Sequence, residues 1–233
     1  MRIRWIALCL ILVSLVAVSC SSSPTGEALP PATALDGGAQ AAEEVDTTAL
    51  LAQAQTALDA GDPNLAITYL QRVVAADGAL AEAHFMLGNA YADKGMFSEA
   101  EAEFLRTLEL DANQIDARAN LGVVYYNQQR FPEAEETFRA ALETEPDDAE
   151  IHYNLGGVLA AANRLDEAVT EFELAIDLAP DLAEPYLGLG SVYHLQGKRE
   201  PAIEALKKYV SLSDDATWVA RAEQILQELG ETP

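Results

Sequence analysis

"LGNAYADKGMFSEAEAEF", residues 87–104, carries Leu, Gly, Tyr, Gly, Ala and Phe at steps of 1, 3, 4, 5 and 4. The phrase returns as "LGVVYYNQQRFPEAEETF" at residues 121–138 and again, varied, further on. Aligned with itself, the chain shows a gap-free period of 34, with blocks starting at Thr47, Ala81, Ile115, Ala149 and Ala183 and the fifth ending at Ala216. The eighth place of the blocks holds Ala54, Gly88, Gly122, Gly156 and Gly190; the twentieth holds Ala66, Ala100, Ala134, Ala168 and Ala202. The twenty-fourth holds Leu70, Phe104, Phe138, Phe172 and Leu206, and the seventh holds Leu in the last four blocks. A period of this length is a sign of stacked supersecondary units.

Within a block, apolar residues recur at helical spacing over the first fourteen places and again from about the eighteenth, which predicts two helices. Gly61, Gly95, Gly197 or Asn163 stands at the break, as a turn with left-handed backbone requires. Pro132 falls in the first turn of a second helix, where its missing N–H costs little, and Pro146 and Pro180 end their blocks. Gly at the eighth place and Ala at the twentieth let the two helices approach, while Phe and Leu fill the remaining core. One block cannot cover its own apolar face, so neighbours must stack.

The pattern resembles the tetratricopeptide repeat over about 170 residues, blocks 47–80, 81–114, 115–148, 149–182 and 183–216. The resemblance implies an all-α, right-handed α-solenoid of five helix pairs. Block one departs from it, with Gln53, Ala54 and Ala57 where Leu, Gly and Tyr are usual, as terminal repeats often do. "TWVARAEQILQEL", from Thr217 to Leu229, reads as a capping helix within a C-terminal segment 217–233, with Arg221, Glu223, Gln227 and Glu228 outward. Tyr209 and Asp214 depart from the pattern beside it.

The chain's 233 residues, half of them hydrophobic, suffice for a sizeable core. There are 14 basic and 38 acidic residues; without Arg2 and Arg4 the basic count falls to 12, for a net charge near −26. Such a surface repels phosphate backbones and anionic headgroups, so nucleic acid is not an expected partner. Solubility alone also accounts for the acidity.

Residues 1–19 stand apart: Arg2 and Arg4 precede an apolar run of 14, Trp5 to Val18. That length suits an export signal and is short for a bilayer span. The run ends in "VAVSC", which resembles the lipobox of bacterial lipoproteins, although Ala17 stands where Leu is favoured. The resemblance implies cleavage before Cys20 and diacylglycerol on its thiol, with the chain exported and anchored to a bacterial cell membrane, facing periplasm or exterior. Ordinary secretion with nearby cleavage and an uncleaved anchor are the alternatives. Cys9 and Cys20 are the chain's two cysteines, so no disulfide or catalytic thiolate is expected in the mature protein. Residues 20–46, rich in Ser, Pro, Gly and Ala, read as a flexible tether with a reach of roughly 30 Å.

Catalytic material is sparse, and no cofactor is expected. The sequence has no Gly-rich phosphate loop, HExxH, GxSxG or Cys/His cluster. His84 and His152 share the fourth place two blocks apart, too far to share a metal, and read as packing positions. His194, at the twelfth place, is expected to face the groove. Asp147 and Asp148 suit helix N-termini, and Arg130, Arg164 and Lys198, at the sixteenth place, suit helix C-terminal ends.

In the resembled family, places two, five, six, nine, twelve and thirteen of the first helix line a concave groove that binds peptides. The resemblance therefore points to Phe85, Met86, Asn89, Asp116, Asn120, Tyr126, Asn127, Glu150, Tyr153, Asn154, Ser191 and His194. Asn120 and Asn154, one repeat apart, are expected to hold an extended chain through their amides, unless Asn is simply a tolerated polar residue there. Six of the thirty inward places are acidic (Asp59, Glu82, Asp93, Asp116, Glu150, Glu184) and none is basic. The groove thus lacks the basic clamp of carboxylate-binding relatives and favours a neutral or basic segment. Helix-dipole complementarity also explains the acids at the second place. The expected function is a membrane-tethered scaffold binding a protein segment in a cell-envelope assembly, with a self-assembling structural solenoid as the alternative.

Overall fold

The computed structural model describes residues 46–231. The leader, Cys20 and all of the expected tether except Asp46 lie outside the described residues. Those described form helices and no strands. Five hairpins follow in order: α1 (Thr47–Asp59) with α2 (Pro63–Ala76), α3 (Ala81–Asp93) with α4 (Phe97–Leu110), α5 (Ile115–Asn127) with α6 (Phe131–Leu142), α7 (Ala149–Ala161) with α8 (Leu165–Leu178), and α9 (Glu184–Leu195) with α10 (Arg199–Leu212). A final helix, α11 (Ala216–Glu228), starts one residue before the expected cap. Each helix packs on the next in sequence, and α3, α5, α7 and α9 also touch in series. The result is an all-α repeat solenoid in which α3, α5, α7 and α9 form one continuous wall.

The hairpin turns are uniform. Gly61, Gly95, Asn163 and Gly197 all have φ between 60° and 72°. Gln129, at the same place in block three, has φ 61°, where the sequence offers no Gly or Asn. The flanking helices dictate this backbone whatever the side chain, at a steric cost that glycine avoids. Asp46, Asp62, Asp148 and Asp215 cap α1, α2, α7 and α11 through their carboxylates.

Phe104, Phe138 and Phe172 are fully buried, and each ring lies where a Cβ on Gly88, Gly122 or Gly156 would fall, 2.7–2.8 Å away. The eighth-place glycine is therefore a seat for the twenty-fourth-place ring of its own block. Gly188 meets Phe172 from the next block at 2.6 Å, so that ring is gripped from two repeats. Block one solves the same contact with Ala54 and Leu70, both fully buried. A second core joins block five to α11 through Leu187, Leu206, Tyr209, Ile225 and Leu226, which makes Tyr209 a core residue of the cap.

The fourth place has a role that composition does not announce. His84 Nε2 lies 3.3 Å from Gly78 O, Arg118 donates to Ala112 O at 2.8 Å, His152 Nε2 lies 2.8 Å from Pro146 O, and Tyr186 donates to Pro180 O at 3.1 Å. Each acceptor is the carbonyl at the thirty-second place of the preceding block, so one side chain per repeat ties the linker down. His84 and His152 also meet Glu103 and Glu171 through Nδ1, at 2.6 and 2.7 Å. Both ring nitrogens of His152 thus face acceptors, which favours the doubly protonated ring. The Glu171 hydrogen bond, then the Pro146 carbonyl and the charges of Glu171 and Asp148, raise its pKa against the opposing effect of burial. A raised folded pKa contributes stability below the ordinary histidine range that is lost as pH rises through the folded value. The melting temperature of the wild type relative to His152→Gln should therefore fall between about pH 6 and pH 8. A flat difference over that window would show that the ring does not titrate in the fold.

The sixteenth-place cations sit otherwise than expected. Arg130, Arg164 and Lys198 occupy the N-caps of α6, α8 and α10, where the helix dipole disfavours positive charge. Carboxylates offset this. Arg130 contacts Glu133 at 3.0 Å and Glu101 of α4 at 2.8 Å; Arg164 contacts Glu167 and Glu135 of α6, each at 2.5 Å. These pairs staple neighbouring even-numbered helices, and Lys198 instead stands 5.4 Å over the Tyr193 ring.

Candidate peptide-binding groove

The wall of odd-numbered helices carries every expected groove residue, but it packs more tightly than the spacing suggests. Asn120 is 1% exposed and donates through Nδ2 to Asn89 Oδ1 at 2.7 Å. Asn154 is 8% exposed. The two asparagines are therefore embedded in the wall and do not present a pair of amides at its surface; the direct pair is Asn120 with Asn89. Tyr126 and Tyr153 are also buried, with ring centroids 5.6 Å from Phe131 and 6.0 Å from Phe172. Ser191 is buried and donates to Leu187 O at 2.7 Å. Successive odd-numbered helices touch in the central blocks, and this closes the sixth-place side chains between them.

What remains accessible lies along α3 and near the ends of α5 and α7. Phe85, Met86, Asn89, Asp116, Asn127 and Glu150 are half-buried, and Glu82 and Asp93 are exposed. Phe85 leans on Phe104 at 6.1 Å, and Asn127 donates to Val123 O at 2.8 Å. Asp93 is exposed by area, yet desolvation by the surrounding wall pushes its carboxyl above the ordinary range. His194 is half-exposed and stands 4.0 Å from Glu228 of α11, at the junction with the cap. Sequence reasoning missed Leu195, which at 62% is highly exposed for a large apolar side chain. Its thirteenth-place position was the available signal.

The accessible surface thus offers apolar contacts (Phe85, Met86), the side chains of Asn89 and Asn127 and several carboxylates. Among the described residues, no three His, Cys, Asp or Glu side chains converge to hold a metal ion. No described helix is long and apolar enough to cross a membrane.

Family models described as tetratricopeptide repeat match residues 51–115, 119–183 and 183–215. The chain belongs to the tetratricopeptide-repeat family. Solved structures agree in fold. MamA from Desulfovibrio magneticus RS-1 superposes with a TM-score of 0.67 at 24% identity, over 74% of this chain and 99% of that one. YrrB, described as a tetratricopeptide-repeat protein with an unusual peptide-binding site, gives 0.61 at 24% identity over 77% and 92%. A thermophilic tetratricopeptide-repeat protein of Thermus thermophilus gives 0.65 at 18% identity over 78% and 99%. No protein of curated function matches the chain in sequence. This tetratricopeptide-repeat protein therefore has the architecture of a protein–protein interaction scaffold.

Proposed function

We propose that the chain is a non-enzymatic, membrane-tethered adaptor whose concave wall binds a neutral or basic segment of a partner in a bacterial cell-envelope assembly. The observation that supports this most is the charge of the wall. Its accessible rim carries Glu82, Asp93, Asp116 and Glu150 beside Phe85 and Met86, and no inward place carries Lys or Arg. With its Oδ1 engaged by Asn120, Asn89 has its amide nitrogen left to meet a carbonyl of the bound segment. A peptide-binding site on YrrB, a protein of the same fold, supports that class of ligand.

The partner is to be found by crosslinking in native membranes followed by mass spectrometry. Asp116→Lys with Glu150→Lys should then slow its association roughly tenfold at low salt, with the difference closing as salt is raised. Unchanged kinetics at low salt would remove the groove from the interaction. The anchor is tested separately. The mature protein should begin at Cys20 and carry lipid by intact mass, and Cys20→Ser should release it from membranes or stall its processing. An unlipidated mature chain starting elsewhere would reject the tether.

A further inference from the structure

In the central repeats an arginine staple ties each even-numbered helix to the one before it, and this staple is missing between α8 and α10. Arg130 reaches Glu101 and Arg164 reaches Glu135, stapling α6 to α4 and α8 to α6. At the next junction the place of those glutamates is Val169, and Lys198 turns to Tyr193. The hairpin-internal pairing of His84 with Glu103 and of His152 with Glu171 is absent from block five, where the corresponding residues are Tyr186 and Ala205, as it is from block three, where they are Arg118 and Thr137. A cleft of about 510 Å³ opens there between α8 and α10, floored by α9, on the face away from the groove.

Its chemistry is specific. Tyr186 and Tyr193 are half-buried aromatic walls, with Leu189 and Ala205 buried at the base. Three exposed carboxylates, Glu173, Asp177 and Glu204, surround them against one ammonium, Lys208. Tyr193 donates to Glu173 at 2.9 Å, which fixes that carboxylate beside the cleft. Both rings already attract the chain's own cations: Lys208 stands 5.9 Å from the Tyr186 centroid and Lys198 5.4 Å from that of Tyr193. Burial and then the Glu173 hydrogen bond push the Tyr193 hydroxyl up to about 12, and burial with the charges of Asp181 and Asp177 raises that of Tyr186. The surroundings are therefore negative on balance.

We propose that this cleft is a second docking site, independent of the concave groove, that takes an arginine side chain of a cationic peptide segment between the two tyrosines. A planar guanidinium can stack on a ring while donating to two carboxylates, and in doing so would displace Lys208 from Tyr186.

The test uses the full chain and a labelled peptide of alternating arginine and serine with a benzophenone at one end, compared with its citrulline counterpart. Photo-crosslinks should map to α8–α10, and the citrulline peptide should not compete. Asp177→Lys with Glu204→Lys should weaken binding roughly tenfold, and Lys208→Gln should tighten it. The matched reversal Glu109→Lys with Glu136→Lys places the same charges at the same repeat positions, where the helices are stapled, and should cost far less. Equal loss from both pairs would show bulk attraction alone and overturn the site, as would weaker binding in Lys208→Gln. Crosslinks confined to α3, α5 and α7 would overturn the cleft while supporting the groove. Crosslinks confined to α8–α10 would support the cleft and leave the groove reading to its own test.

Discussion

Leucine in place of Gly122 is expected to destabilise the protein by about 1–3 kcal/mol or more, read as a lowered thermal midpoint. Even a Cβ there would lie 2.8 Å from the Phe138 ring, which is fully buried and has no open side to move toward. A glycine inside a helix costs roughly 1 kcal/mol against alanine by propensity, so the ring contact is what offsets it. Block one shows the other solution, Ala54 over Leu70. Gly122→Ala combined with Phe138→Leu should accordingly cost less than the sum of the two single changes. An unchanged midpoint in Gly122→Leu, or strict additivity in the pair, would reject the seat-and-ring account.

Phe172→Ala should show the larger loss, at the upper end of the roughly 3–5 kcal/mol typical of buried Phe truncation. The cost of such a cavity depends on how far its walls can collapse. Here the ring is flanked by Gly156 and Gly188, where a Cβ would lie 2.8 and 2.6 Å from it, so at these two contacts there is no side chain to swing into the cavity. The damage should spread to both adjoining repeats, since α7 and α9 meet through this ring. Hydrogen exchange should accelerate across α7–α9 together, because nearest-neighbour contacts carry a solenoid's stability. A loss no greater than that of Leu174→Ala, at a surface leucine 40% exposed, would show that the ring is not a junction.

Both expectations rest on a period visible in the residues themselves. The 34-residue register placed the first four odd-numbered helices at their observed starts, and Gly61, Gly95, Asn163 and Gly197 at observed left-handed turns. This was legible because each block solves the same local problem, and five copies make the solution stand out from chance. Gln129 was not legible, since nothing in its side chain signals the φ of 61° that its flanking helices impose. The arginines at the sixteenth place were misread because they lie between two helices, and only the stacked partner with its Glu101 or Glu135 shows which one they serve.

The candidate site divides along the same line. The acidity of the inward places, and the absence of Lys and Arg from them, belong to the sequence. Which of those side chains meets solvent depends on how closely successive odd-numbered helices pack, a property of whole repeats against one another. That packing buries Asn120 against Asn89, turns Tyr126 and Tyr153 into wall, and leaves Phe85, Met86 and the carboxylate rim accessible. The cleft between α8 and α10 likewise lies where Val169 and Lys198 stand in place of the stapling pair. Periodicity determines what each repeat is, because burial within a hairpin acts on neighbours a few residues apart. The tertiary structure decides what the repeats present, because exposure is set by contacts one whole block away.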